Sequence, residues 1–190
     1  MIRRGFGLLS LLSLMALFAS FFPQGVAAQF PSQGQGGAPS QGGFPSTGGG
    51  RGGFYQGQIY DFALTWGPEW TLADDSAEEG FEAITVTNGV STVTLGGFAM
   101  QDTPQNVVTQ TATTLGGGEW TFNTIVWDEP NVAAAYFDRP DGQFAYFIYA
   151  EQIGPSAGLF IIWEFPPDQY ETEDVAYGAL VEGLEYSVST

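Results

Sequence analysis

The chain has 190 residues, and its 21 Asp and Glu against four Lys and Arg give a net charge of -17. It contains no Cys and no His, and all four basic residues are arginines. The absence of Cys excludes disulfides and a lipid-modified N-terminal cysteine. Without Cys, His or Lys, the usual nucleophiles, neutral-pH bases and soft-metal ligands are also missing. Because this negative charge repels nucleic acid and anionic lipid, neither is expected as a partner.

Residues 1–28 predict a secretory signal peptide. Arg3 and Arg4 supply a positive start, an apolar stretch runs from Leu8 to Phe22, and Val26-Ala27-Ala28 offers a cleavage site. Because the apolar stretch is short for a membrane-spanning helix, a cleaved signal is favoured over a retained anchor. The paired arginines leave twin-arginine export open beside the general route. The mature chain then has no membrane span, and it carries two arginines against 21 acids, a net charge of -19.

Residues 29–53 predict a disordered linker rich in Gly, Gln, Ser and Pro. A four-residue unit recurs there, as Pro31-Ser32-Gln33-Gly34, Pro39-Ser40-Gln41-Gly42 and Pro45-Ser46-Thr47-Gly48. Such a composition buries too little apolar surface to offset the entropy of ordering the chain. We therefore expect a flexible tether in front of one folded domain, residues 54–190, of ordinary size for a single hydrophobic core.

The first part of this domain predicts strands. Large apolar residues alternate with small or polar ones from Tyr60 to Trp66, the pattern of a half-buried strand. Two β-rich runs, Phe81–Thr87 and Val90–Leu95, flank the dipeptide Asn88-Gly89. Because this dipeptide tolerates positive φ at both turn centres, it predicts a tight hairpin.

Two segments predict helices. The first has Thr103 as its cap, Pro104 in its first position and Gly116 just past its end. Its apolar face comprises Val107, Val108, Ala112 and Leu115. The second spans about residues 168–184, and its apolar stripe comprises Val175, Ala176, Ala179, Leu180, Gly183 and Leu184. Three acids lie in its early turns, where the helix dipole favours negative charge: Glu171, Glu173 and Asp174.

The remaining segments predict four more strands. In the strand from Glu119 to Trp127, a switch of apolar phase between Phe122 and Ile125 indicates a bulge. Strands 132–137 and 143–150 flank a turn, and 158–165 completes the set. The last two are apolar on both faces, which places them centrally in a sheet that is covered on both sides. The prediction is an α+β domain, an antiparallel sheet flanked by helices in an αβα sandwich, with an all-β sandwich and one peripheral helix as the alternative.

The segment Tyr60-Asp61-Phe62-Ala63-Leu64-Thr65-Trp66-Gly67-Pro68-Glu69-Trp70 resembles the opening of PsbP-like domains, an aromatic-rich strand that runs into Pro-x-Trp. The order of the later elements, up to the closing segment 177–184, also matches that family, so the resemblance covers about residues 55–190. It implies a central antiparallel sheet between helices. It also implies a non-enzymatic accessory or binding role, as in extrinsic photosystem subunits and a nuclear-transport partner of a small GTPase. The surface basic residues of photosynthetic members have no counterpart here, and no site residue carries over.

The densest acidic cluster is Asp74-Asp75-Ser76-Ala77-Glu78-Glu79-Gly80-Phe81-Glu82. Carboxylate oxygens suit calcium, but this spacing is not that of an EF-hand loop. We interpret the cluster as a solvated loop that keeps the protein soluble. No catalytic, cofactor-binding or metal-binding residue is assigned, and no cofactor is expected.

Carboxylates, hydroxyls and phenols are the only groups left for catalysis. Paired acids can hydrolyse glycosides, but in so acidic a chain such pairs arise from abundance alone. The sequence therefore predicts a non-enzymatic, extracytoplasmic accessory domain that binds a protein partner or a cell-surface component. The alternative is a carbohydrate-binding module, whose aromatic rings stack on sugars. Trp66 and Trp163 fit core positions, whereas two exposed rings on one face among Trp70, Trp120 and Trp127 would favour carbohydrate.

Overall fold

The computed structural model describes residues 52–116, 121–139 and 141–188. The predicted signal peptide and all but the last two residues of the predicted linker lie outside these ranges. The elements in chain order are β1 (Gly53–Gln56), β2 (Phe62–Trp66), β3 (Thr71–Glu78), β4 (Phe81–Thr87), β5 (Thr92–Ala99), α1 (Pro104–Leu115), β6 (Thr121–Glu129), β7 (Val132–Asp138), β8 (Ala145–Gly154), β9 (Ala157–Phe165), a 3-10 turn (Pro167–Gln169), α2 (Tyr170–Val181) and β10 (Leu184–Tyr186). Neither helix is long and apolar enough to cross a membrane, as far as the described residues go.

Two antiparallel sheets organise these elements. The large sheet has seven strands in the order β3-β4-β5-β9-β8-β7-β6, and the small sheet has three in the order β1-β2-β10. Helix α1 packs on one face of the large sheet, against β7 and β8. The small sheet and α2 cover the opposite face. The predicted α+β architecture is confirmed, and the all-β alternative is wrong because helices pack on both faces of the large sheet.

Several local predictions are confirmed in detail. Helix α1 starts at Pro104 after Thr103, whose Oγ1 accepts a hydrogen bond from the Asn106 N–H at 3.3 Å. Strands β8 and β9 lie in the interior of the sheet and are buried on both faces, as their continuous apolar runs predict. Strand β6 shifts its register against β7 between Phe122 and Thr124, at the predicted bulge.

A buried carboxylate attaches the small sheet to the large one. Glu82, on β4, is fully buried. Its Oε1 accepts hydrogen bonds from the Gln58 N–H at 2.6 Å and from the Tyr55 hydroxyl at 2.9 Å. Its Oε2 accepts from the N–H groups of Ile59 at 2.9 Å and Tyr60 at 3.0 Å. Four donors thus replace the water that this charged group loses on burial, and they fix the segment between β1 and β2.

The interpretation of residues 74–82 as a solvated loop is wrong. Most of the segment forms β3, an edge strand on which Asp75 and Glu78 are exposed, and Glu82 belongs to the core. The run of acidic residues does not predict a strand, because Asp and Glu have low β-propensity. On an edge strand, however, charges are useful, because they prevent other strands from pairing with it.

The β4–β5 hairpin is confirmed, but its turn is not the predicted one. Thr87 pairs with Thr92, so the connection has four residues rather than two, and only Gly89 has a positive φ, of 90°. The Asn88 side chain accepts from the N–H groups that follow it, at Val90 and Ser91. A short polar side chain thus closes the turn without its own backbone adopting positive φ.

Helix α2 is shorter than predicted, and its buried face only partly coincides with the predicted stripe. It ends at Val181, and Leu184 begins β10. Leu180 of the predicted stripe is buried as expected, whereas Val175 is 73% exposed, and Glu173, which is not part of the stripe, is buried. The Glu173 carboxylate accepts from the Asn88 side-chain amide at 2.7 Å and from the Ser91 hydroxyl at 2.5 Å, which docks the start of α2 on the hairpin turn.

The buried face of α2 is set by an aromatic stack. Tyr177 lies parallel to Trp163 of β9, with ring centroids 4.4 Å apart and an interplanar angle of 2°. A stacked aromatic pair stabilises the fold by more than the burial of its apolar area alone would. A small residue follows the helix for a similar packing reason, since a Cβ on Gly183 would lie 2.0 Å from the Thr65 carbonyl oxygen.

Alanine substitutions on the buried side and on the exposed side of α2 test which face of the helix packs against the sheet. We expect Tyr177→Ala to lower the free energy of unfolding by about 3 kcal/mol, because it removes an aromatic ring from the packed face. Val175→Ala on the exposed face changes it by no more than about 0.5 kcal/mol. Urea unfolding of both variants measures the difference. Equal losses, or a larger loss for Val175→Ala, would contradict the observed face.

Candidate functional site

The two edges of the large sheet differ in chemistry. On β3 the edge carries exposed or half-buried carboxylates from Asp74 to Glu78. On β6 the sequence is uncharged from Thr121 to Trp127, and three consecutive large apolar side chains are exposed: Ile125 by 55%, Val126 by 40% and Trp127 by 47%. We call these three residues the β6 edge surface. Among the described residues no strand lies beyond β6, so its outer backbone groups also have no strand partner.

A second bulge spreads the β6 edge surface over both faces of the sheet. The register shifts between Ile125 and Trp127, which leaves Val126 as an extra residue. Ile125 therefore pairs with Ala135, on the α1 face, and Trp127 pairs with Ala134, on the opposite face. Without the bulge, residues two apart would lie on the same face.

On the α1 face, a groove of about 200 Å³ runs beside Ile125. Its floor includes Ala133 and Ala135 of β7, whose small side chains leave the space open, and Val108 of α1 forms part of its wall.

One end of the groove is polar. There the Gln105 side-chain amide donates to Oδ1 of Asp128 at 3.1 Å and to the backbone carbonyl of Glu129 at 2.6 Å. The groove is thus mainly apolar, with a carboxylate at one end.

On the opposite face, Trp127 contacts a cluster of phenols. Its ring meets Tyr149 edge-on, with centroids 5.9 Å apart. The hydroxyl of Tyr149 donates to Oε2 of Glu151, and the hydroxyl of Tyr186 donates to the same oxygen at 2.7 Å. Burial, then the hydrogen bond to Glu151, raises the pKa of Tyr149 and that of Tyr186. Both phenols therefore stay protonated at neutral pH and act as hydrogen-bond donors rather than as bases or nucleophiles.

The tryptophans are divided between core and surface. Trp163 and Trp70 are buried, and Trp66 is half-buried against the same core. Trp127 is exposed, and Trp120 lies outside the described residues. The carbohydrate hypothesis thus has one exposed ring among the candidates that can be placed, and it stays a prediction. Within the described ranges, no group of three or more acidic side chains is arranged to hold a metal ion.

Comparisons with known proteins identify the fold. No family model matches the sequence, and no curated protein is significantly similar to it. Among solved structures, the chain is similar to the solution structure of cyanobacterial PsbP (CyanoP) from Synechocystis sp. PCC 6803, with a TM-score of 0.51. The match covers 77% of this chain and 98% of that one, at 8% sequence identity. The fold is PsbP-like. The resemblance seen in the sequence is therefore confirmed at the level of the PsbP-like fold.

The β6 edge surface was not predicted from the sequence, although a signal for it exists. In a chain with 21 acidic residues, the uncharged run from Thr121 to Trp127 stands out. The pattern of its apolar residues predicts a strand but does not indicate that the strand lies at an edge of the sheet. Strand order depends on contacts distant in sequence, so the run alone could not reveal its exposure.

The tyrosines make the stability of the domain sensitive to alkali. Burial is the largest cause that raises the pKa of each of seven tyrosines: Tyr55, Tyr60, Tyr136, Tyr146, Tyr149, Tyr177 and Tyr186. The folded state therefore keeps these protons at pH values where the unfolded chain releases them. This contribution to stability is fully present below the unfolded pKa of about 10 and falls as the pH rises above it.

We accordingly expect phenolate absorbance to appear together with loss of the near-ultraviolet circular dichroism, above about pH 10. Parallel titrations of absorbance and circular dichroism check this coupling. A domain that stays folded while its tyrosines ionise at the ordinary pKa would contradict the buried, neutral state of these phenols.

Proposed function

We propose that the protein is an exported accessory domain that binds a protein partner through the β6 edge surface and performs no catalysis. The observation that carries the proposal is the exposure of Ile125, Val126 and Trp127 in a row on an edge strand. Soluble proteins rarely leave contiguous large apolar side chains exposed unless another molecule covers them. Aromatic residues with a nearby pocket are also typical of the centre of an interface.

The organisation of the chain supports a role outside the cytoplasm. Residues 1–28 have the layout of an export signal, residues 29–53 the composition of a flexible linker, and residues 54–190 form the proposed folded domain. A linker of this length lets the domain stand off from a surface or from another module while it binds. The partner is accordingly a protein in the extracytoplasmic space or at the cell surface.

The residue inventory supports a non-enzymatic role. The chain has no His, Cys or Lys to activate a nucleophile. The cluster of titratable groups formed by Tyr149, Glu151 and Tyr186 is held together by its own hydrogen bonds. The PsbP-like fold agrees with an accessory role, and the exposed β6 edge surface supports that role independently of the fold.

Carbohydrate binding is the second candidate. It is favoured by Trp127 and Tyr149, whose rings meet beside the Glu151 carboxylate and the Tyr186 hydroxyl. An aromatic face next to hydrogen-bonding groups suits a sugar ring. A soluble oligosaccharide that quenches Trp fluorescence in the native protein, but not in Trp127→Phe, would favour this candidate over a protein partner.

Site-specific cross-linking tests the first candidate. Val126 is replaced by p-benzoylphenylalanine, and the protein is irradiated in the cells that produce it. Because Val126 lies at the centre of the β6 edge surface, we expect a discrete protein adduct, and we expect Trp127→Ala in the same chain to reduce its yield about tenfold. The same photoreactive group at Val175, which is exposed on α2, serves as the matched control.

Two results would contradict a protein partner at this surface. One is the absence of any protein adduct from position 126. The other is an adduct pattern that is the same from position 126 and from position 175, since random collision would produce both.

A further inference from the structure

We infer that the groove between α1 and β6 receives a segment of the partner in which an apolar side chain stands next to a Lys or Arg. The inference rests on the proposed function and names the chemistry of the partner. It depends on the size of the groove, on the carboxylate at its end and on the charge of the whole domain.

The groove fits a single large side chain. Its volume is about 200 Å³, and its lining combines Ile125, Trp127, Val108 and Phe137 with the alanine floor of β7. An apolar cavity of about 150 Å³ in another protein admits benzene, so this groove has room for a Leu, Ile or Phe side chain. A chain entering here lies along β6, whose exposed Val126 extends the contact beyond the groove.

The polar end of the groove selects a cation. Asp128 is exposed there, and its carboxylate has only a neutral partner, the Gln105 amide, among its described contacts.

The positive end of the α1 dipole is already offset by polar side chains at the start of the helix. The Thr103 hydroxyl accepts from the Asn106 N–H, and the Asp102 carboxylate accepts from the Thr103 N–H at 2.8 Å. The hydrogen bond from the Asn106 side chain, then that from the Thr103 N–H, lowers the pKa of Asp102, so it remains a carboxylate in mild acid.

The charge of the domain decides between the possible occupants. Within the described ranges, Arg139 is the only basic side chain, and it is paired with Asp141 at 2.9 Å. A second copy of the chain would bring the same negative field to the groove and, from these ranges, would offer only this arginine, which is already paired. A segment with Lys or Arg is instead attracted and correctly oriented as it approaches.

The edge that carries the groove differs from the charged β3 edge, and this difference supplies a control. Asp128 and Asp75 are both exposed acids on edge strands, at opposite sides of the same sheet. Reversing either charge changes the net charge of the protein equally. Only Asp128→Lys places a positive charge at the end of the groove.

The experiment measures binding of short labelled peptides to the purified mature protein by fluorescence anisotropy. The probes are a Lys/Leu peptide, a Lys/Ser peptide of the same charge and a Glu/Leu peptide with the same apolar residues. The buffer has an ionic strength of about 0.15 M, where the Debye length is about 8 Å and long-range attraction is largely screened. Circular dichroism and urea unfolding confirm that each variant is folded.

We expect the Lys/Leu peptide to bind at least about tenfold more tightly than either of the others. Ile125→Asp and Asp128→Lys should each weaken that binding by about tenfold, because one removes the apolar rim and the other reverses the charge at the end of the groove. Asp75→Lys should change it by less than about twofold, since at that distance only the screened field is altered.

Several results would overturn the inference. Equal losses in Asp75→Lys and Asp128→Lys would show that any cationic peptide binds the general field. Equal binding of the Glu/Leu peptide would remove the requirement for a cation, and absence of binding by every peptide would remove the site. A cross-linked adduct with the mass of two copies of this chain would identify self-association instead. A heterologous adduct from position 126 together with peptide failure would overturn this inference alone and leave the proposed function standing.

Discussion

The carboxylate of Glu82 is buried in the large sheet, where it accepts hydrogen bonds from Tyr55 and from three consecutive N–H groups, those of residues 58, 59 and 60. A buried charge costs several kcal/mol unless such donors surround it, so the carboxylate of Glu82 depends on these four groups. The contact thereby fixes the small sheet relative to the large one. Close packing supports the contact, because a Cβ on Gly97 would lie 2.3 Å from the Tyr60 ring.

The location of the candidate site follows from this arrangement. With the small sheet and α2 on one face and α1 on the other, the large sheet can meet partners mainly at its edges. The β3 edge carries charges that oppose strand pairing, whereas the β6 edge exposes Ile125, Val126 and Trp127. The bulge at Val126 then directs one large side chain to each face. One edge is thus protected and the other is available, although both belong to the same acidic protein.

The elements that could be predicted from the sequence are those whose signals lie in neighbouring residues. The cap at Thr103 with Pro104 located α1, and the continuous apolar runs placed β8 and β9 in the interior of the sheet, because these signals depend on neighbouring residues. The strands β1 and β10, of four and three residues, were missed because they are stabilised by pairing with β2 rather than by their own sequence.

The β6 edge surface, the burial of Glu82 and the buried face of α2 depend on contacts between residues distant in sequence, so the sequence pattern did not reveal them. Glu82 looked like one acid in a solvated cluster, and only the approach of residues 58–60 reveals that it is a core residue. On α2, Ala176 and Leu180 of the predicted stripe pack against the core, but Val175 does not, because the stack of Tyr177 on Trp163 belongs to the buried side. Trp127 could be named as a candidate, but its exposure follows from strand order.

Amide hydrogen exchange of residues 58–60, measured by NMR, tests most directly whether Glu82 holds the two sheets together. These amides lie in a connecting segment, so their protection depends on the carboxylate. We expect strong protection in the native protein and at least about a tenfold loss in Glu82→Gln, equivalent to about 1.4 kcal/mol, with the β8 and β9 amides less affected. Glu78→Gln, at an exposed position on β3, should leave all of them unchanged. Rapid exchange of residues 58–60 in the native protein, or equal exchange in both variants, would contradict this account.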